Sequence, residues 1–461
     1  MKKVTVRDII RDHLVDVDVT VMGWARSIRK SKSCSFLVLS DGTAQDNLQT
    51  VLDPTLPNYE EVSSLLAGCS IALTGRLVNS PGQGQKVEMH VKEAKILGKV
   101  DEDYPMQKKA TSLEFLREVA YLRPRTNTFG AVFRLRHALA MATHKFFDER
   151  GFFYIHTPIV TGFDGEGAGN MFQVTQLPMN NLPRLPDGKI DYSKDYFGKM
   201  ANLTVTGQLE AECMAMAMSA VYTFGPTFRG ENSNTPRHLS EFWMVEPEVA
   251  FCDLDGVADL ASDYIKFLIN EALRRCPAEM EFLQKMYRPD LISTLELVKN
   301  ATFNKITYTE AIEVLKEKNA SFEYQVKWGT DIQTEHERFL AEQYFKGPVI
   351  VTDYPKDFKA FYMKQNPDGK TVRAMDILVP GVGEIVGGSQ REEDHAKLLN
   401  RIRELKLRED DYKWYLDLRR FGTCVHSGFG LGFERALMYI TGMANARDVI
   451  AFPRTPGNVE F

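Results

Sequence analysis

Over the first hundred residues, polar and apolar positions alternate with the period of two that marks half-buried strands. Val19-Thr20-Val21-Met22-Gly23-Trp24-Ala25-Arg26 predicts one strand. Phe36-Leu37-Val38-Leu39 predicts a second, ended by the turn Ser40-Asp41-Gly42-Thr43. Residues 48–52 and 71–78 predict a third and fourth, and residues 86–91 and 93–97 close the set after the glycine-rich turn Ser80-Pro81-Gly82-Gln83-Gly84-Gln85. Five or so short strands within about 80 residues predict a small closed barrel of the OB type. A polar linker is expected over residues 101–118.

The period then changes. Leu135, Leu139, Ala142 and Phe146 recur at the spacing of one helix face, which predicts a helix over 134–150 ended by Gly151. Phe152-Phe153-Tyr154-Ile155 reads as a strand stopped by Pro158. Residues of about 255–345 are helix-rich and read as an insertion or flanking layer.

Composition narrows the class without naming an activity. The chain has 461 residues, 44 % hydrophobic and 26 % charged, which suits a globular protein of about two to four domains. No apolar leader opens it and no run of about 18 apolar residues interrupts it, so a cytoplasmic address without membrane association is expected. The six cysteines, at 34, 69, 213, 252, 276 and 424, are scattered and read as buried thiols, and the nine histidines form no HExxH cluster. No zinc site is therefore expected. A net charge of -5 does not announce nucleic acid, although local basic strips can sit on an acidic body.

Three stretches carry chemistry. The first is Phe228-Arg229-Gly230-Glu231, a polar loop holding Arg237 and His238, then Phe242-Trp243-Met244-Val245-Glu246. As a hairpin it presents Arg229 and Glu231 on one face, and Phe242, Met244 and Glu246 on one face. Guanidinium forks suit phosphate and an aromatic plane suits a base; taken alone, the pattern also fits an exposed hairpin with incidental charges. The second is Gly428-Phe429-Gly430-Leu431-Gly432-Phe433-Glu434-Arg435. Too few residues follow it for a βαβ dinucleotide unit of about 30 residues. It reads instead as a glycine-rich strand against whose backbone a base can lie, entering a helix from which Arg435 reaches a phosphate. The third runs from Asp376 to Glu384 and on through Gly387-Gly388-Ser389-Gln390-Arg391-Glu392. Its two carboxylates could flank a Mg²⁺ shared with substrate phosphates, or form an ordinary hairpin with a paired Arg391.

In this order the three stretches resemble the motifs of class II aminoacyl-tRNA synthetases, with the helix, strand and Thr157-Pro158 pair resembling the first motif. The N-terminal barrel places the chain in the aspartate, asparagine and lysine subgroup. Leu203-Thr204-Val205-Thr206-Gly207-Gln208-Leu209-Glu210-Ala211-Glu212 and the 383–392 string look like its asparagine-charging branch. The resemblance implies an α+β fold: an OB-fold anticodon-binding domain over 1–100, a linker over 101–118, and a catalytic domain over 119–461 with an antiparallel sheet flanked by helices. It implies a homodimer that turns ATP and L-asparagine into Asn-AMP and pyrophosphate, then loads tRNA(Asn) at its 3′ end. An aspartate-charging enzyme, an ammonia-dependent asparagine synthetase and a non-catalytic RNA-binding paralogue are the alternatives. The synthetase relative lacks the barrel.

It also implies roles. Arg229 holds the α-phosphate and the amino acid carboxylate. Glu231 meets the adenine side of ATP. Phe242 stacks on adenine, with Arg435 on its other face or at the γ-phosphate and Gly432 beneath. Arg237 and His238 bind the outer phosphates. Asp376 and Glu384 hold Mg²⁺, with Gly387 where aspartyl relatives carry a serine. Glu166, in a glycine-rich loop, covers the substrate, and Gln208 positions it. Arg391 and Glu212 read the asparagine amide, where aspartyl relatives have lysine at Ala211 and glutamine at Glu212. Arg26, Phe36 and Gln49 contact the anticodon, although Phe36 alone also fits a barrel core.

Overall fold

The computed structural model describes residues 4–82, 84–106, 111–167, 170–233 and 235–461. Parts of the 80–85 turn, the linker, the 165–169 loop and the 229–241 loop thus lie outside the described residues. The chain forms two compact units, Met1–Phe133 with Phe461, and Arg134–Glu460.

In the first unit, β1 (Asp18–Lys30), β2 (Ser35–Ser40), β3 (Leu48–Leu52), β4 (Ser70–Asn79) and β5 (Val87–Gly98) close into a barrel in the order β1-β2-β3-β5-β4. The alternation works as expected: Val19, Val21, Leu37, Leu39, Leu48, Leu52, Ile71 and Leu73 turn inward and are buried. The two strands predicted over 86–91 and 93–97 are one strand. Its register shifts between Thr74 and Gly75 of β4, where Thr74 pairs Glu93 and Gly75 pairs Val91. The extra residue inverts the inside–outside phase, which the sequence pattern shows as a break. A Cβ on Gly75 would stand 2.2 Å from the His90 carbonyl oxygen, so the bulge depends on glycine. A capped helix, Val6–Arg11, precedes the barrel and another, Tyr59–Ser63, joins β3 to β4; neither was expected. The polar 101–118 segment also contains the helix Leu113–Glu118.

In the second unit an eight-stranded sheet dominates the described residues. Its strands are β6 (Phe153–Tyr154), β10 (Ala220–Phe228), β11 (Glu241–Ala250), β12 (Asn304–Thr307), β13 (Val349–Pro355), β14 (Thr371–Val379), β15 (Gly383–Gln390) and β16 (His426–Gly432), in the order β12-β13-β14-β15-β16-β11-β10-β6. The two outer pairs, β12 with β13 and β6 with β10, run parallel and the rest antiparallel. A small sheet of β7 (Val160–Thr161), β8 (Gln173–Val174) and β9 (Ala201–Leu203) stands beside it. The predicted helix extends over Asn127–Asp148, and Gly151 takes the positive φ (77°) of the turn that follows it.

The helix-rich segment does more than flank the sheet. Its first helix, Leu254–Arg275, is capped by Asp253, whose side chain accepts from the Gly256 amide, and ends in Arg274 and Arg275, charges that suit the helix dipole. Val257, Ala261, Tyr264, Leu268 and Ala272 form its buried stripe, which packs under β14, β15 and β16. The same segment supplies the edge strand β12. The cysteines carry no disulfide; Cys69 and Cys276 are buried, while the other four are half-buried rather than buried as expected.

Candidate active site

The hairpin β10–β11 pairs in register from Ala220 with Val249 to Phe228 with Glu241. The Arg229 amide extends the ladder by donating to the Ser240 carbonyl (3.0 Å). The loop then turns back over the sheet and closes a pocket of about 210 Å³ with β15, β16 and the helix Phe433–Thr441. Arg229, Glu231, Arg237, His238, Phe242, Glu384, Gly432 and Arg435 all line it. Eight residues expected to act together, from positions 229 to 435, are brought to one cavity.

Inside it, the Arg229 guanidinium lies 5.4 Å from the centre of the Phe242 ring. Arg229 Nη2 also donates to Glu166 Oε1 (2.9 Å). Burial pushes the Glu166 carboxyl up, against the pull of Arg229. Arg237 donates to Thr334 Oγ1 (3.0 Å) and to the Val382 carbonyl (2.9 Å). His238 Nδ1 is 2.7 Å from the hydroxyls of both Ser233 and Thr235. Met244 shares the Phe242 face as expected, but Glu246 does not reach this pocket; it binds Thr206 Oγ1 and the Gly207 amide.

The glycines of β16 have distinct reasons. A Cβ on Gly430 would meet the Met244 methyl at 2.8 Å, on the pocket floor. A Cβ on Gly428 would stand 2.1–2.5 Å from the carboxylate of Glu248. Gly428 therefore makes room for a buried carboxylate, not for a base.

Asp376 and Glu384 converge on Gly387. Asp376 Oδ1 and Glu384 Oε1 would stand 3.4 and 3.5 Å from a Cβ built there, so a side chain at this position would be in ordinary contact with both. Each carboxylate gives its other oxygen to a cation: Asp376 Oδ2 accepts from Lys359 Nζ (2.8 Å), and Glu384 Oε2 pairs with Arg435 (3.2 Å). Burial pushes Asp376 up; at Glu384 burial is outweighed by Arg435 and Lys359, which hold it down. Glu337, from the helix-rich segment, accepts from the Glu384 amide (3.1 Å) and is pushed up to about 7 by burial and then by Glu384. Among the described residues no cluster of three or more acidic, His or Cys side chains has metal-holding geometry. Two convergent carboxylate oxygens nevertheless fit Mg²⁺, which keeps waters and substrate phosphates as its other ligands.

Gln208, Glu212 and Arg391 lie away from this pocket's lining, in a buried network. Glu212 is fully buried. Its oxygens accept from Tyr415 Oη (2.8 Å), Arg419 Nη2 (3.0 Å) and Gln208 Nε2 (3.1 Å), and lie 2.9 Å from His426 Nε2. Burial opposes ionisation, but Arg419, His426 and Arg391 outweigh it and hold the carboxyl well below the ordinary range. His426 Nδ1 is 2.9 Å from the Cys424 carbonyl. Both its ring nitrogens thus face oxygen atoms of the protein. Arg391 forks onto Glu248 and donates to Ser389 Oγ (2.6 Å), with Glu212 at 3.9 Å. Without substrate, four protein groups engage the oxygens of Glu212.

Sequence reading missed Tyr415, Arg419, His426, Lys359 and Glu337. Tyr415 and Arg419 stand four apart, one helical turn, and polar residues after the apolar run Trp414-Tyr415-Leu416 were a usable signal. Lys359 and Glu337 had none, because their partners are distant in sequence.

In the barrel unit, Phe36 is half-buried and sits between inward-facing Ser35 and Leu37. It is not a core residue, and the Arg29 guanidinium lies 5.2 Å from its ring centre. Gln49, opposite Val38, shares that outer face. Arg26 falls at a bulge of β1 and donates to Asn127 Oδ1 (2.8 Å), so its guanidinium is partly spent within the fold. We expect Phe36→Ala to weaken tRNA binding by about 1–3 kcal/mol, the loss for one base-stacking aromatic, with little change in melting temperature. Filter binding and thermal melting check this; melting without a separate binding defect would refute it.

Residues 112–456 match the family of class II tRNA synthetases (D, K and N), and residues 19–97 match the OB-fold nucleic-acid-binding domain of the anticodon-binding type. The chain belongs to the class II tRNA synthetases. Among its relatives by sequence are asparagine–tRNA ligases. That of Azobacteroides pseudotrichonymphae is 53 % identical over 462 residues, covering 100 % of both chains, and that of Acetivibrio thermocellus is 55 % identical over 464 residues, again covering 100 % of both. Asparaginyl-tRNA synthetase of Pyrococcus horikoshii, solved with asparaginyl-adenylate, superposes with a TM-score of 0.87 at 32 % identity, over 100 % of this chain and 99 % of that one. The Entamoeba histolytica enzyme in complex with asparaginyl-adenylate gives 0.83 at 26 % identity, over 100 % and 99 %.

Proposed function

We infer that the chain is an asparagine–tRNA ligase: it joins L-asparagine to AMP at the expense of ATP, then passes the asparaginyl group to tRNA(Asn). The observation that carries this is the convergence of Arg229, Phe242, Glu384 and Arg435 in one cavity, in a chain more than half identical to asparagine–tRNA ligases over its whole length. A non-catalytic paralogue would have no need to keep that set together.

No side chain has to act as nucleophile. The asparagine carboxylate attacks the α-phosphorus, the bond to the β-phosphate breaks, and its electron pair leaves with pyrophosphate. Alignment and charge neutralisation are what the site must supply. Arg229, next to Phe242, is placed to bind the α-phosphate while the ring carries adenine. Arg237, His238 and Arg435 take the outer phosphates, and Glu231 the adenine edge. Asp376 and Glu384 would hold Mg²⁺, which when bound would neutralise charge on the phosphates. Glu166 would bind the substrate ammonium and release Arg229. In the second step the terminal hydroxyl of tRNA attacks the acyl carbon and AMP leaves. The barrel, through Phe36 and Gln49, reads the anticodon. Exposed Phe153 and Tyr154 on edge strand β6 support a dimer in which a second copy covers them. No described helix is long and apolar enough to cross a membrane, which suits an enzyme of cytoplasmic translation.

Arg391 and Gln208 would meet the side-chain amide, and Glu212, which Gln208 contacts at 3.1 Å, would act through them as a fixed negative charge. An aspartate carboxylate would meet that charge unpaired, and sites built on polar contacts reject mispaired analogues by about 10⁴-fold. We therefore expect strong asparagine-dependent pyrophosphate exchange and little or none with aspartate. Equal exchange with both amino acids would refute asparagine selectivity.

A further inference from the structure

Arg237 and Arg435 each line two cavities. One is the pocket described above. The other, of about 620 Å³, is lined also by Arg288, Arg338, Asp290 and Glu342. Arg288 and Arg338 come from the helix-rich segment, to which the sequence reading gave no chemistry. Arg288 pairs with Asp290 (3.1 Å) and Arg338 with Glu342 (2.9 Å). Four guanidinium groups thus line the chamber with two carboxylates, Arg435 pairing also with Glu384 of the first pocket, and the chamber keeps a positive excess. Burial and then the charge of Arg435 depress Arg237, and Arg338 adds to this: the cations crowd one another.

The backbone is shaped to admit them. Gly381 has a φ of +92°, and a Cβ there would stand 2.6 Å from an Arg288 terminal nitrogen. Gly442, which ends the helix Phe433–Thr441, would bring a Cβ to 3.1 Å from Arg288 Cβ. Two glycines let Arg288 lie between the loop and the helix end. No aromatic ring lines the chamber among the described residues, so it offers no platform for a base. A concave, arginine-lined space without an aromatic wall suits a small multivalent anion, which forked guanidinium donors bind well.

We propose that this second cavity receives the pyrophosphate that leaves ATP, with Arg288 and Arg338 binding it as Arg237 and Arg435 release it from the reaction pocket. The proposal rests on reading the first cavity as the ATP site. Bond breaking between the α- and β-phosphates places the leaving electron pair on pyrophosphate, and the product must pass arginines shared by both chambers. A cation-lined exit lowers the barrier to that separation and makes the reverse reaction saturable at this site.

The test separates product from substrate. Asparagine hydroxamate formation runs forward and needs no bound pyrophosphate; pyrophosphate exchange needs it. In Arg288→Gln and Arg338→Gln, the KM for pyrophosphate in exchange should rise about tenfold, the scale of one charged hydrogen bond. Pyrophosphate inhibition of hydroxamate formation should weaken in parallel. The KM values for ATP and asparagine in the forward assay should stay near those of the unaltered enzyme. An unchanged KM for pyrophosphate overturns the proposal, and so does an equal rise in the KM for ATP, which would make the chamber part of the ATP site. Because Arg288→Gln unpairs Asp290 and Arg338→Gln unpairs Glu342, the charge reversal Arg338→Glu at an exposed position, with melting temperature as a control, provides a second reading, with the same overturning outcomes. Failure of the unaltered enzyme to exchange at all would refute the underlying activity. Calorimetric titration of pyrophosphate into unaltered and Arg338→Gln protein would then still read the chamber, and equal affinities would overturn it.

Discussion

Replacing Glu384 by alanine should reduce asparagine-dependent pyrophosphate exchange by about 10²–10³ or more, the usual cost of removing one preorganised charge-stabilising group from a transition state. Glu384 offers one oxygen to the point it shares with Asp376 and the other to Arg435. Its loss removes a negative charge that Mg²⁺ would need, and frees Arg435 to swing from its position. The side chain is half-exposed at the pocket wall, not part of the apolar core, so the fold should survive. Exchange assays on the variant, with melting temperature and tRNA binding as controls, check the result. Near-normal exchange would remove Glu384 from the mechanism.

The second large effect is on the buried network. Glu212→Ala should destabilise the protein by about 3–5 kcal/mol, because removing one partner leaves buried charge uncompensated. Arg419 and His426 would both lose their anionic partner in a fully buried setting. Asparagine activation should fall with stability, since Gln208 loses its acceptor and Arg391 a neighbouring charge. Tyr415→Phe leaves the carboxylate in place but removes one donor to it and the acceptor of Arg419 Nη2 (2.9 Å), and should cost less, about 1.5–3 kcal/mol. Urea unfolding of both variants measures the contrast. Equal, small losses would mean that Glu212 is not the hub of the network.

The fold's strands were legible where one face is buried and the other is not. The barrel strands over 19–52 and 71–78 follow from alternation alone, and β5 was split in two only because its bulge inverts that alternation. The short helices Val6–Arg11 and Tyr59–Ser63 carry too few turns for a helical period to appear. The residues of the first pocket were legible because arginine, glycine, aromatic and carboxylate positions cluster within its three stretches, and the family resemblance assembles those stretches. The Glu212 network was not. Its members stand at 208, 212, 391, 415, 419 and 426, and only the folded chain shows that one carboxylate gathers them. Sequence chemistry gave Glu212 a polar partner but could not say that Tyr415, Arg419 and His426 would gather around it.

The contact between Gly428 and Glu248 ties two distant positions into one heritable unit. While position 248 carries a glutamate folded against β16, no side chain can stand at 428; shorten or remove that carboxylate, and the space opens. Arg391, which forks onto Glu248, would then lose its counter-charge and drift evolutionarily as well. Among descendants of this chain, the three positions should change together or not at all. The glycine that looked like a nucleotide-binding signature would then vary with a buried acid rather than with the nucleotide.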